Sequence, residues 1–196
     1  NASSGSSSSG NSSGGTTVET PSKLTEADLL KQGYQLKWQD NFDGNFLNRA
    51  DWNVELHEKG WVNSEWQEYV DSDKNIQVKD GKLLIKPVET VNADGTRSYT
   101  SGRINTQGKH DFKYGYFECR AKVPTGKGYL PAFWMMPTDE NLYGQWPKCG
   151  EIDIMEVMGQ ETNKAYGTIH YGEPHDQSQG TCTVDAKNNF ADQYHT

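Results

Sequence analysis

A chain of 196 residues is long enough for one domain with a hydrophobic core, and its 27 acidic and 19 basic residues give a net charge of −8. We expect no nucleic-acid partner, because no basic stripe with interleaved aromatic residues could follow a phosphate backbone. No run of about 18 apolar residues is present, so we expect no membrane span. The three cysteines, Cys119, Cys149 and Cys182, cannot all pair within the chain and lack metal-ligand spacing.

The amino-terminal segment differs in composition from the rest of the chain. Residues 1–22 predict a Ser/Gly-rich linker, since residues 1–15 hold eight Ser and four Gly and cannot bury enough apolar surface to offset their ordering entropy. Such a linker predicts a tethered upstream module or an anchor. Residues 23–33 predict a short helical lead-in, in which Thr25 and Asp28 form a weak capping box and Gly33 ends the helix.

Residues 34–196 have the pattern of short strands. The clearest hairpin joins residues 76–78 to 83–85 through Asp80-Gly81, a pair suited to the positive φ angles of a tight turn. Residues 114–123 alternate polar and apolar side chains with strict period two. Further strands are predicted at 36–38, 132–136, 151–157 and 166–171, separated by Gly, Pro and Asn. We therefore predict an all-β fold, an antiparallel β-sandwich.

The segment GEIDIMEV at 150–157 carries three acidic residues on one predicted strand. Regular alternation places Glu151 and Asp153 on one face but sends Glu156 to the other. A β-bulge at Met155 would return Glu156 to the acidic face and Val157 to the apolar face. Like charges this close oppose each other's ionisation. At least one acid should therefore hold its proton to unusually high pH, as a general acid must.

This acidic face suits glycoside hydrolysis. Retaining glycosidases need two carboxyl groups about 5 Å apart, one to attack the anomeric carbon and one to protonate the leaving oxygen. Side chains on one face of a bulged strand can converge to such a distance. Two alternatives stay open. One is a solvated acidic face matched by lysines on a neighbouring strand. The other is a metal site that includes His170, although no paired-histidine motif accompanies the acids.

The segment Glu151-Ile-Asp153-Ile-Met-Glu156 resembles the bulged catalytic strand of the laminarinase-type enzymes of glycoside hydrolase family sixteen. Similar stretches are WN at 52–53, WVNSEWQEY at 61–69, SGRI at 101–104, YGYFECRAK at 114–122, PAFWMMP at 131–137 and GTIHY at 167–171. The resemblance covers roughly residues 34–196 and makes these the catalytic domain. It implies a concanavalin-like jelly roll with a concave glucan-binding sheet. Because the family pattern continues past Thr196, we expect the sandwich to be C-terminally incomplete, with exposed edges and apolar faces.

The resemblance also assigns roles by position. It implies that Glu151 is the nucleophile, Glu156 the general acid/base and Asp153 the carboxylate that hydrogen-bonds and tunes the nucleophile. It further implies that five residues line the subsites nearest the scissile bond, namely Trp134, Trp146, Arg103, Asn63 and His170.

Three of these five residues have plain structural alternatives. Trp134 lies between apolar neighbours and could pack in a core. Arg103 could pair with Glu118 across strands, and His170 could be a structural histidine. Trp146 lies in a loop bounded by Gly and Pro five residues before Glu151, so it is the best candidate for sugar stacking.

These observations predict a retaining endo-β-1,3-glucanase. Activity on mixed β-1,3-1,4 chains is left open. The partner of the enzyme is β-glucan polysaccharide. We expect a secreted or cell-surface monomer that needs no cofactor for catalysis and no metal in its active site. The resemblance leaves a structural calcium open, near the amino-terminal strand and a turn such as Asp80-Gly81. The alternatives are a non-catalytic β-glucan-binding module on the same fold and a related galactan hydrolase.

Overall fold

The computed structural model describes residues 24–196, so the predicted linker at 1–22 lies outside the described residues. The chain there begins with helix α1, Glu26–Lys31. Thr25 Oγ accepts from the Asp28 backbone N–H at 3.2 Å, and the Asp28 carboxylate accepts from the Thr25 N–H at 3.1 Å. The predicted capping box is therefore confirmed. No helix among residues 24–196 is long and apolar enough to cross a membrane.

Strands account for most of the regular structure that follows. They are β1 (Asn53–Val54), β2 (Gln67–Tyr69), β3 (Ile76–Val78), β4 (Leu83–Ile85), β5 (Val88–Val91), β6 (Arg97–Ser101), β7 (Ile104–Asn105), β8 (Ala132–Met135), β9 (Glu151–Val157), β10 (Lys164–Tyr171) and β11 (Asp176–Thr183), with a 3₁₀ turn at Ala186–Asn188. The sheets have the orders β1-β7, β2-β6-β5, β3-β4 and β11-β10-β9-β8. The all-β, antiparallel prediction is confirmed, although β2 and β6 pair in parallel.

The described residues divide into two compact units. The hairpin unit comprises Thr25–Glu118 and Met136–Cys149, and the acidic unit includes Cys119–Met135 and Gly150–Thr196. The hairpin unit holds α1 and strands β1 to β7. The acidic unit holds the four-stranded sheet of β8 to β11.

The predicted hairpin of the hairpin unit is confirmed as β3 and β4. Its two-residue turn places Asp80 at φ 53° and Gly81 at φ 66°, the left-handed region that a type I′ turn requires. The turn aligns Ile76 with Ile85 and puts Ile76 and Val78 in the core of this unit, where each is about 5–6 % exposed.

The acidic unit is organised around β9. Strand β8 pairs with one edge of β9 and β10 with the other, and both ladders shift register at the same place. Ile154 has no partner on β8, and the pair Ile154-Met155 lies opposite Gly167 of β10. The predicted bulge is thus confirmed at the Ile154-Met155 step. It restores Glu156 to the acidic face, and Val157 is fully buried.

The opposite face of the same sheet is apolar and open. Ile152, Ile154 and Ile169 are 47 %, 36 % and 49 % exposed. Ile152 and Ile169 are register partners, so their side chains lie side by side on this face. The expectation of an exposed apolar face is therefore met in the acidic unit.

Two predicted strands are not formed. At 114–123 only Ala121 pairs, in an isolated bridge with His195, while Val123 donates its N–H to Phe190. Alternation produces a strand only where a second strand accepts its hydrogen bonds, and here the neighbour is a loop. At 36–38 there is no strand either, because Trp38 packs edge-on against Trp52 instead of joining a ladder.

Candidate active site

The bulge places Glu151, Asp153 and Glu156 on one face of β9. Register partners in neighbouring strands point to the same side of a sheet. On β10 these partners are His170 for Glu151, Thr168 for Asp153 and Tyr166 for Glu156; on β8 they are Trp134 for Asp153 and Ala132 for Glu156. The sheet therefore brings two predicted subsite residues, Trp134 and His170, onto the same face as the acids.

Asp153 is the most enclosed of the three acids, at 5 % exposure. Burial, together with the negative charges of Glu151 and Glu156, raises the pKa of Asp153 to about 6, and the nearby His170 opposes this shift. His170 Nε2 lies 3.1 Å from Asp153 Oδ2. A hydrogen bond with the Glu151 side chain also favours the protonated form of Asp153.

Glu156 has the environment that a general acid needs. Partial burial raises the pKa of its carboxyl group, the charge of Glu151 raises it further, and His170 again acts in the opposite direction. Glu156 therefore keeps its proton to higher pH than an exposed glutamate. The expectation that at least one of the acids would hold its proton to higher pH is met by both Asp153 and Glu156.

His170 has partners on both ring nitrogens. Its Nε2 faces Asp153, and its Nδ1 lies 3.0 Å from Nε2 of His175. The two imidazole rings are stacked, with centroids 5.2 Å apart. Sequence reasoning missed His175. The turn signal of Gly172 and Pro174 between the two histidines indicated a hairpin that would bring them together.

The structure does not favour either alternative for the acidic face, a solvated surface or a metal site. None of the five register partners of the acids on β8 and β10 is a lysine; they are Ala132, Trp134, Tyr166, Thr168 and His170. Asp153 is also buried, which a solvated acidic face does not explain. Among residues 24–196, no group of three or more His, Cys, Asp or Glu side chains is arranged to hold a metal ion.

The hairpin unit contains the other three predicted subsite residues. Arg103 Nε donates to Glu55 at 2.7 Å, and its guanidinium lies 5.0 Å from the Trp61 ring centroid. Burial alone would raise the pKa of Glu55, but the hydrogen bond from Asn105 and the charge of Arg103 hold this pKa below its usual value. Glu55 thus holds Arg103 in place, although no sequence pattern marked Glu55 as a candidate.

Asn63 and Trp146 lie in loops of the hairpin unit. Asn63 is exposed and has φ 49°, a left-handed conformation that asparagine tolerates better than most residues. Trp146 is 47 % exposed, which agrees with a role outside the core. A half-exposed indole offers a flat apolar face to a ligand.

A comparison with known protein families tests the resemblance. The family description "Glycosyl hydrolases family 16" matches residues 60–196. The chain belongs to this family. Its match with family 16 begins before β2 and covers the whole acidic unit apart from Leu24.

Individual members of family 16 are similar over most of this chain. It is 43 % identical to glucan endo-1,3-beta-glucosidase A1 of Niallia circulans, over 80 % of this chain and 25 % of that protein. It is 42 % identical to glucan endo-1,3-beta-glucosidase of Cryptopygus antarcticus, over 82 % of this chain and 60 % of that protein. The solved laminarinase from Rhodothermus marinus superposes with a TM-score of 0.73 at 36 % identity, over 82 % of this chain and 65 % of that one. The chain thus spans less than two thirds of these relatives.

The structural calcium that the resemblance leaves open stays an expectation. In the turn between β3 and β4, Lys82 Nζ donates to the Asp80 carbonyl oxygen at 2.9 Å, so an ammonium group competes with any cation for this oxygen. A hard cation requires six or more oxygen ligands.

Proposed function

We propose that this family 16 chain is a retaining endo-glycosidase that hydrolyses internal β-1,3 linkages of β-glucan. The observation that carries the proposal is the bulge in β9, which puts three carboxyl groups on one face while giving Asp153 and Glu156 raised pKa values. The names of the two glucan endo-1,3-beta-glucosidases support the choice of linkage. Mixed β-1,3-1,4 chains are the second substrate that we propose.

Glu151 is the proposed nucleophile and Glu156 the proposed general acid/base. Glu151 attacks the anomeric carbon while Glu156 donates its proton to the leaving glycosidic oxygen, which gives a glycosyl-enzyme ester. Glu156, now ionised, then takes a proton from water, and the resulting nucleophile cleaves the ester. Both carboxyl groups return to their starting states. The raised pKa of Glu156 supports the first half of this cycle, because the proton is present when it is needed.

Asp153 tunes the nucleophile. Two ionised carboxylates cannot hydrogen-bond to each other, so the bond between Asp153 and Glu151 needs one proton. With a pKa of about 6, Asp153 supplies this proton in mildly acidic solution. When Glu151 becomes an ester its negative charge is lost, and the repulsion that held the proton on Asp153 falls with it.

The remaining proposed roles concern substrate binding and context. Trp134 and Trp146 stack on sugar faces, while Arg103, Asn63 and His170 hydrogen-bond to hydroxyl groups near the scissile bond. The chemistry needs no cofactor. We further propose a monomer that acts outside the cell or at its surface, since a polysaccharide is too large to enter, and that is tethered to an upstream module by the linker at 1–22.

The test is the yield of reducing ends from laminarin and from mixed-linkage β-glucan. Glu151→Gln keeps the size and polarity of the side chain but removes the nucleophile, and we expect at least a thousandfold loss of kcat. Glu161→Gln is the matched control, because Glu161 is an exposed acid of the same unit that accepts from Tyr166. It should keep full activity.

Other outcomes would replace the proposal. If the folded chain binds laminarin and releases nothing, the fold serves as a binding module. If it cleaves galactans but not glucans, the same acids act on another polysaccharide.

A further inference from the structure

An exposed histidine extends the hydrogen-bonded chain behind Asp153. His175 lies in the turn between β10 and β11, and its Nε2 is 3.0 Å from Nδ1 of His170. His170 in turn reaches Asp153 with Nε2 at 3.1 Å. The hydrogen-bonded series therefore runs from the buried carboxyl group of Asp153, through the His170 side chain, which is 18 % exposed, to His175 at the protein surface.

The protons on this chain follow from the chemistry of its members. Above pH 6 Asp153 is ionised and can only accept, so His170 must donate from Nε2. Its Nδ1 then shares one proton with Nε2 of His175, in a hydrogen bond whose donor depends on the tautomers of the two rings.

We propose that His175 is a positioning residue, whose Nε2 hydrogen-bonds with Nδ1 of His170 and holds the His170 ring against Asp153. The hydrogen bond fixes the ring edge, and the stacked ring, tilted by 21°, limits rotation about χ2 of His170. The proposal rests on the proposed function only for its effect on activity. The geometry of the three side chains stands without it.

Loss of this contact should change how Asp153 titrates. His170 acts to lower the pKa of Asp153, so a ring that swings away leaves the carboxyl group more protonated. The other charged groups on the elements packed around the two rings are Glu151 and Glu156 on β9, Lys164 on β10, Glu173 in the turn and Asp176 on β11. Glu151 and Glu156 raise the pKa of Asp153, and His170 acts against this rise.

Two substitutions separate the hydrogen bond from the ring. His175→Phe keeps a stacking ring without a hydrogen-bonding group, and His175→Gln keeps a hydrogen-bonding group without the ring. We would measure the titration of the Asp153 carboxyl carbon and the ring nitrogen shifts of His170 by NMR in the full chain. For His175→Phe we expect the Asp153 midpoint to rise by roughly half a pH unit, the size of one modest hydrogen bond. His175→Gln should restore the midpoint.

Tyr171→Phe serves as the control. It removes a hydrogen bond to Ser178 on the same hairpin, from the opposite face, and should leave the Asp153 midpoint unchanged. The proposal is overturned if His175→Phe titrates like the parent, or if the Gln and Phe variants shift alike. If the chain is a glycosidase, the pH profile of kcat/KM should move with the NMR midpoint. An inactive chain would refute the proposed function while leaving the NMR test intact.

Discussion

Replacing Asp153 by Asn should change how the stability of the protein depends on pH. The folded chain holds this carboxyl group at a pKa of about 6, against an ordinary value of 3.8. Between these values the folded state binds more protons than the unfolded state, so ionisation of Asp153 destabilises the fold as pH rises from about 4 to about 6. Between pH 4.5 and 7.5 the difference between these two pKa values lowers the free energy of unfolding by about 2 kcal/mol. Asn keeps the size of the side chain and its hydrogen bonds but cannot ionise.

Urea unfolding of the parent and Asp153→Asn at these two pH values measures the effect. Titrating groups distant from Asp153 contribute equally to both proteins, so the difference between their pH slopes reports Asp153 together with the ionisable groups that contact it. We expect the variant to gain about 2 kcal/mol relative to the parent on going from pH 4.5 to 7.5. Its activity should fall, because Asn cannot give up a proton when the charge of Glu151, the proposed nucleophile, changes during the reaction. Equal slopes in the two proteins would refute the reasoning about burial and like charges.

Two glycines test the packing. Gly159→Ala should lower the free energy of unfolding by about 2 kcal/mol, because the new methyl group would clash with the backbone carbonyl oxygen of Gly126. Gly180→Ala in β11 is the control, since nothing lies within 4 Å of its new methyl group. Equal losses of stability in the two variants would contradict the clash. Gly102→Ala should cost about 1–3 kcal/mol in thermal unfolding, as the methyl would lie 2.5 Å from Cγ1 of buried Ile76. An unchanged melting temperature there would show that this core has room.

Local patterns predicted the elements that depend on local structure. A few neighbouring residues determine both the hairpin at Asp80-Gly81 and the bulge in β9. The hairpin follows from the turn preference of Asp-Gly, and the bulge from the spacing of the acidic residues and isoleucines. The predicted strand at 114–123 failed although its alternation was strict. Its ladder needed a partner distant in sequence, and the neighbour that Ala121 meets is a loop at His195.

The surroundings of the acids were harder to predict than the acids themselves. β11 was missed because all eight of its residues are exposed, so it has no hydrophobic pattern to recognise. Glu55 was missed because nothing local marks a carboxylate that pairs with Arg103, which is 48 positions away. The pairing of His170 with His175 depends on the register that the hairpin sets, which becomes clear only once both strands are placed.

The anomeric form of the first product tests the central claim most directly. Laminarin is hydrolysed inside an NMR tube, and the anomeric proton of the newly formed reducing end is followed before mutarotation. Two successive displacements at the anomeric carbon, first by Glu151 and then by water, predict that the β-anomer appears first. Initial release of the α-anomer would mean a single displacement by water, and would contradict Glu151 as the nucleophile.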